Sequence, residues 1–214
     1  DPLARILIEP DLDRTSESDK LWLLERAFRS NHATMITPFA DYVALRRIRE
    51  SFGSAPELAA RYLGGQYFAD LVTWYHLAWT GETVRRASPL VQRLLTKGHS
   101  FSIVERVALF SELARIIGEL PARYRRLSER GQIELSTTPY SHPLAPLLVD
   151  FAAARETLPE SVLPDAPNYP GGMARVGWHV RRATDRHAVL FGSKPRGMWP
   201  AEGGLSDAVL AQLG

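Results

Sequence analysis

The chain is 214 residues long with 45% hydrophobic and 23% charged side chains, the balance of a folded globular protein with room for one large domain or two small ones. Lys and Arg number 26 against 24 Asp and Glu, a net charge of +2, and the basic residues, all arginine except Lys20, Lys97 and Lys194, form no dense block suited to a phosphate backbone, which argues against a nucleic-acid partner. Cysteine is absent, which excludes disulfides and thiolate metal sites, and no apolar run approaches the ~20 residues of a membrane span.

The start, Asp1-Pro2-Leu3-Ala4-Arg5, is no secretory signal, so a cytoplasmic protein is expected; the missing initiator Met suggests a natural chain that begins earlier. Residues 19 to 36 place Leu21, Leu24, Phe28 and Met35 at helical spacing behind the capping residues Ser16, Ser18 and Asp19. A second helix over 39 to 51 sets Tyr42, Leu45 and Ile48 against a polar face of Arg46, Arg47, Arg49 and Glu50. The stretch Gly65 to Gly81 is apolar over much of its circumference (Phe68, Leu71, Val72, Trp74, Leu77), the pattern of a buried helix. Ser102-Ile103-Val104-Glu105 is a capping box opening a helix that runs to Arg130, with Pro121 expected to kink or split it. Residues 145 to 157 and 172 to 191 read as two further helices, and Ser206 precedes a short last one.

Strand signals are few. Gln132 to Thr137 alternates behind Gly131, and Arg196 to Trp199 lies between Pro195 and Pro200. Between them runs a long loop, Pro159 to Gly172, with Pro159, Pro164, Pro167, Pro170 and a Gly pair. Two short strands leave backbone N–H and C=O groups unpaired on both edges, so they need further strands beside them. The favoured reading is therefore a piece of a larger α/β domain rather than an all-helical protein.

Three segments carry chemistry. In a β/α architecture, polar residues at and just beyond a strand's C-terminal end face the active-site mouth. Glu134, Thr137, Thr138, Tyr140 and His142 crowd such a place in Gly131 to Pro143; the plainer reading is a strand end with a proline-stabilised turn and a solvated Glu134. In Pro195 to Ser206, Glu202 follows a strand, has small neighbours that admit a substrate, and precedes a helix start; Trp199 offers a flat apolar face to a sugar ring. The plainer reading there is a Pro/Gly loop with an exposed Glu and a core Trp. On the helix Asp70 to Trp79, His76 reads as a satisfied core residue. His76, His142, His179 and His187 show no recognised ligand spacing, so neither a metal nor another cofactor is expected.

Gly131-Gln-Ile-Glu-Leu-Ser-Thr-Thr-Pro-Tyr-Ser-His-Pro143 resembles the second signature region of glycoside hydrolase family 57, and Met198-Trp-Pro-Ala-Glu-Gly203 resembles the third, where the family keeps its nucleophile. The helix Tyr67 to Trp79 and the tract Pro164 to Trp178 are similar to those of the family's bacterial α-amylase/α-mannosidase-like members. The resemblance spans essentially the whole chain. It implies an α/β fold, part of an incomplete (β/α)7 barrel, helix-rich and with few strands in this chain. Residues 1–130 would form a mostly helical subdomain and 131–214 the barrel strands and helices carrying the site.

The implied activity is hydrolysis or transfer on α-linked glucans (α-amylase, 4-α-glucanotransferase or branching type) with retention. By position Glu202 matches the nucleophile; Gln132, Glu134 and His142 match substrate-binding positions, with Trp199 beside the nucleophile. The sequence departs from the family in lacking the opening His-Gln-Pro strand and the acid/base Asp expected beyond the nucleophile. It is therefore expected to be an internal portion of a longer enzyme, partnered by the remainder of the catalytic domain and an α-glucan. The competing reading is a non-catalytic helical binding or scaffold module. The enzyme reading expects Glu134 and Glu202 near one cleft.

Overall fold

The structure, a computed structural model, describes residues 1–166 and 168–213; Pro167, one of the loop prolines noted above, and Gly214 lie outside the described residues. The chain divides into two compact units, Asp1–Ile117 and Gly118–Gly214. In chain order the α-helices are α1 (Pro2–Leu7), α2 (Glu17–Arg26), α3 (Ala40–Glu50), α4 (Pro56–Tyr62), α5 (Gly65–Trp79), α6 (Glu82–Ala87), α7 (Pro89–Lys97), α8 (Ile103–Glu129), α9 (Ala145–Val149), α10 (Ala154–Thr157), α11 (Gly172–Phe191) and α12 (Asp207–Leu213).

In the first unit, helices surround α5, whose Phe68, Leu71, Val72, Trp74 and Leu77 are all buried. Trp74 is the centre: it stacks on Tyr42 at 6.0 Å, meets Phe39 at 5.2 Å and takes Phe101 edge-on at 6.4 Å. Its indole N–H donates to the Gly98 carbonyl at 2.6 Å, so the ring's one polar atom is satisfied inside the core. Gly98 has φ 77°, a conformation that strains any side-chain-bearing residue, and a Cβ there would press on the Asp41 carboxylate.

Asp70, buried on the same helix, accepts from the Ser100 N–H at 3.0 Å, the Phe101 N–H at 2.9 Å and Gln66 Nε2 at 2.9 Å. It thereby fastens the loop leading into α8. The capping box forms there: Ser102 N–H donates to Glu105 at 2.8 Å, and Glu105 N–H donates to Ser102 Oγ at 3.3 Å. His76 lies half-buried on α5 with Nδ1 2.8 Å from the Val72 carbonyl.

Two sequence expectations change in this region. The helix expected over 19 to 36 stops at Arg26, and His32–Ile36 forms a separate π-helical turn. Asn31 starts that turn: its backbone is non-helical and its side chain accepts from the Thr34 N–H at 3.1 Å. Pro121 does not split α8, which is continuous from Ile103 to Glu129. The carbonyl that proline leaves without its N–H partner is that of Ile117, whose side chain is exposed, so water can replace the lost bond.

In the second unit, α9, α11 and α12 bury a small core of Ala145, Val176 and Val209. α11 starts hard against α9; a Cβ on Gly172 would overlap the Leu148 carbonyl. The strands expected over Gln132–Thr137 and Arg196–Trp199 reduce, among the described residues, to a single parallel bridge between Thr137 and Met198. One paired residue on each side is too little for a ladder, and the α/β layering read from the sequence shrinks to that bridge in a helix-rich fold.

Two outcomes are expected. Asp70→Ala, which strips the buried Phe101 N–H and the Ser100 N–H of their acceptor, should cost about 2–4 kcal/mol in chemical denaturation. Burial holds the His76 imidazole below its ordinary value of 6.5, so folding favours its neutral form. The stability this gives is full above pH ~6.5 and is lost as pH falls toward the lowered folded value; His76→Gln should show a smaller loss between pH 7.5 and 5.5.

Candidate active site

The bridge sets the frame for the site. Thr137 N–H donates to the Gly197 carbonyl at 3.1 Å and Trp199 N–H donates to the Thr137 carbonyl at 2.6 Å. The two segments run parallel and are separated in the chain by α9, α10 and α11, the order of a β–α–β crossover. Beyond Thr137 the chain is fastened to α11 through Tyr140. Its N–H donates to the His179 carbonyl at 3.0 Å, its own carbonyl faces His179 Nδ1 at 2.6 Å, and its ring meets Trp178 edge-on at 5.7 Å. Arg182 lies 5.8 Å over the same ring.

This anchoring presents His142 to Glu202. His142 Nε2 is 3.1 Å from Glu202 Oε1, and His142 Nδ1 is 3.2 Å from Thr138 Oγ1. An ionised carboxylate only accepts, so Nε2 carries the proton that reaches Glu202; in the neutral ring Nδ1 then accepts from the Thr138 hydroxyl. The Glu202 side chain is 75% exposed and that of His142 46%. One carboxylate oxygen is thus held while the other is open to a reactant.

Both partners sit in strained backbone. Ser141 has φ 64°, His142 57° and Glu202 52°, three of the four non-glycine residues with positive φ among the described residues. A side-chain-bearing residue in the left-handed region costs roughly 1–2 kcal/mol, and such residues gather at functional sites. Pro143 disfavours the right-handed helical region for His142, and Gly203, at φ 72°, continues the turn after Glu202.

The other residues read from the sequence lie elsewhere on this frame. Glu134 pairs with Arg196 at 3.7 Å, both side chains well exposed. Gln132 and Glu134 line a cavity of ≈ 550 Å³ with Arg125, His187, Lys194 and Arg196; Glu202 is not among its lining residues. Register explains the separation. Glu134 and Arg196 precede the Thr137–Met198 bridge in their segments, whereas His142 and Glu202 follow it. Glu134 thus lines this cavity and Glu202 does not, so the two carboxylates are not brought together in that hollow. Trp199, one residue past the bridge, is 61% exposed and leaves its ring open on the Glu202 side of the bridge in the chain.

The histidines are dispersed: His76 faces Val72, His179 faces Tyr140, and buried His187 has Nδ1 2.8 Å from the Ser193 carbonyl. Among the described residues no three His, Cys, Asp or Glu side chains are grouped to hold a metal. No helix among them is long and apolar enough to cross a membrane. Thr138 and Arg196 were visible in the sequence only as members of their motifs. Their pairing with His142 and Glu134 depends on the parallel register, which one strand pattern cannot specify.

Comparison with known families gives one match: the model of Glycosyl hydrolase family 57 fits residues 19–213. No curated protein matches the chain, and no solved structure does.

Glu202→Gly and Glu202→Ala both remove the carboxylate and its bond to His142, but only glycine relieves the left-handed backbone. The glycine variant should be the more stable of the two by about 1 kcal/mol in thermal or urea unfolding; equal stabilities would show that the backbone at 202 is unstrained.

Proposed function

The chain belongs to glycosyl hydrolase family 57, and from that premise we propose that Glu202 is the nucleophile of a retaining enzyme acting on α-linked glucans. Membership makes glycosidic-bond hydrolysis or transfer the activity and a carbohydrate the substrate. The observation that carries the finer assignment is the His142–Glu202 contact at 3.1 Å between two segments of left-handed backbone. A solvated surface glutamate needs neither the partner nor the strain.

In this reading the free oxygen of Glu202 attacks the anomeric carbon from the face opposite the leaving group. The bond to the leaving oxygen breaks as a carboxylic acid ~5–5.5 Å from Glu202 protonates it, giving a glycosyl ester. Water or a sugar hydroxyl, deprotonated by the same group, then displaces Glu202 and restores the α configuration. His142 positions the carboxylate by donating to Oε1, while Trp199 offers its ring face to the adjoining sugar. Gln132 and Glu134 contact more distant units of the chain from their own cavity. We assign the acid/base to an Asp outside these 214 residues, since Glu134 is engaged by Arg196 on the far side of the bridge.

The parallel pairing of Thr137 with Met198 across α11 supports a place for residues 131–214 in a (β/α)7 barrel, with residues 1–130 as a helical subdomain. The scaffold reading draws on the separation of Glu134 from Glu202. It leaves the strained His142–Glu202 pair without a use.

In the enzyme containing these residues, Glu202→Gln should lower turnover by about 10⁴-fold with glucan binding retained, because a covalent step and not a binding contact is lost. Azide added to Glu202→Ala should restore cleavage and yield the β-glycosyl azide from an α-linked substrate. Near-normal turnover by the glutamine variant would refute the assignment.

A further inference from the structure

We propose that Thr138 is a positioning residue for the nucleophile: its hydroxyl holds the His142 ring turned so that the Nε2 proton faces Glu202. The role rests on the reading of Glu202 given above and is one step removed from the chemistry, since Thr138 acts through His142.

The ring needs such a hold. The His142 side chain is 46% exposed, so packing leaves it room to turn, and rotation about the bond joining ring to Cβ is intrinsically broad. A half-turn would put the carbons Cδ2 and Cε1 where Nδ1 and Nε2 stand, and both hydrogen bonds of the ring would be lost. Two contacts oppose it, Nε2 to Glu202 Oε1 at 3.1 Å and Nδ1 to Thr138 Oγ1 at 3.2 Å. Which nitrogen carries the proton follows from the ionised Glu202, which only accepts; which way the ring faces follows from both contacts. The hold from Glu202 is interrupted during a retaining cycle. In the glycosyl ester its charge is gone and its attraction for the N–H weakens. Thr138 then keeps the ring as it was, and the N–H is in place when the carboxylate returns.

Thr138 suits this task. It follows Thr137, whose N–H and carbonyl are both paired to the other segment, at Gly197 and Trp199, so its backbone is placed by the same bridge that leads to Glu202. Its β-branched side chain has few rotamers. A hydroxyl that served only to close the turn would bond a backbone group; this one meets a ring nitrogen four residues on.

The nearly isosteric Thr138→Val removes the hydroxyl, and Thr138→Ser keeps it. Ring nitrogen resonances of His142, recorded on the ¹⁵N-labelled 214-residue chain at about pH 8, where the ordinary imidazole is neutral, should show a protonated Nε2 and a hydrogen-bonded Nδ1. Thr138→Val should move both toward the values of free histidine, and Thr138→Ser should leave them in place. In the enzyme containing these residues, Thr138→Val should lower kcat about 10-fold with KM little changed, and Thr138→Ser should restore it. Wild-type resonances and kcat in Thr138→Val, or equal losses in the valine and serine variants, would overturn the proposal. Should Glu202→Gln keep its turnover, the nucleophile reading falls, while the ring resonances still decide whether Thr138 holds His142.

Discussion

One hydrogen bond organises the candidate active site, the contact from His142 to Glu202, and both of its ends are supplied by backbone that side-chain-bearing residues ordinarily avoid. The supports for that bond are traceable. Tyr140 ties the turn before His142 to α11, Pro143 restricts the residue it follows, and the Thr137–Met198 bridge fixes the register of the two segments. Local strain is tolerated where surrounding structure determines the conformation several times over, and here two chain segments and a helix do so.

The first unit is organised on a different principle. Several of its polar groups find partners at the edges of the aromatic core. Trp74 reaches Gly98, Tyr67 donates to the Leu45 carbonyl at 2.9 Å, and Asp70 gathers the N–H groups of the loop behind it. Buried Arg106 donates to the Leu7 carbonyl at 2.8 Å in the same manner, which ties α8 to the end of α1. Each bond adds a modest net amount, and each would be costly to leave half-made. The apolar side chains supply the driving force and the polar ones select a single arrangement of them.

Much of this was readable from the residues. The largely apolar circumference of α5 identifies it as the buried helix, Ser102 and Glu105 mark the start of α8, and the motif around Gln132 to Pro143 names a family that the later match bears out. What was hidden is instructive. One helical run ends at Arg26 and Asn31 starts another turn, yet hydrophobic spacing continues through both to Met35. Alternation over Gln132 to Thr137 gives a strand's periodicity, but pairing needs a neighbour, and among the described residues only Met198 provides one. The distance between Glu134 and Glu202 along the paired segments depends on register, which no single segment encodes. Tyr140 looked like one more polar residue near a strand end; its grip on α11 comes from folding.

The left-handed conformation at residue 202 also bears on how this lineage could drift. Glycine or asparagine would suit that backbone better than glutamate does, so random substitution runs downhill in energy away from the acid. Keeping a glutamate at this position therefore costs the fold backbone energy that a glycine there would not.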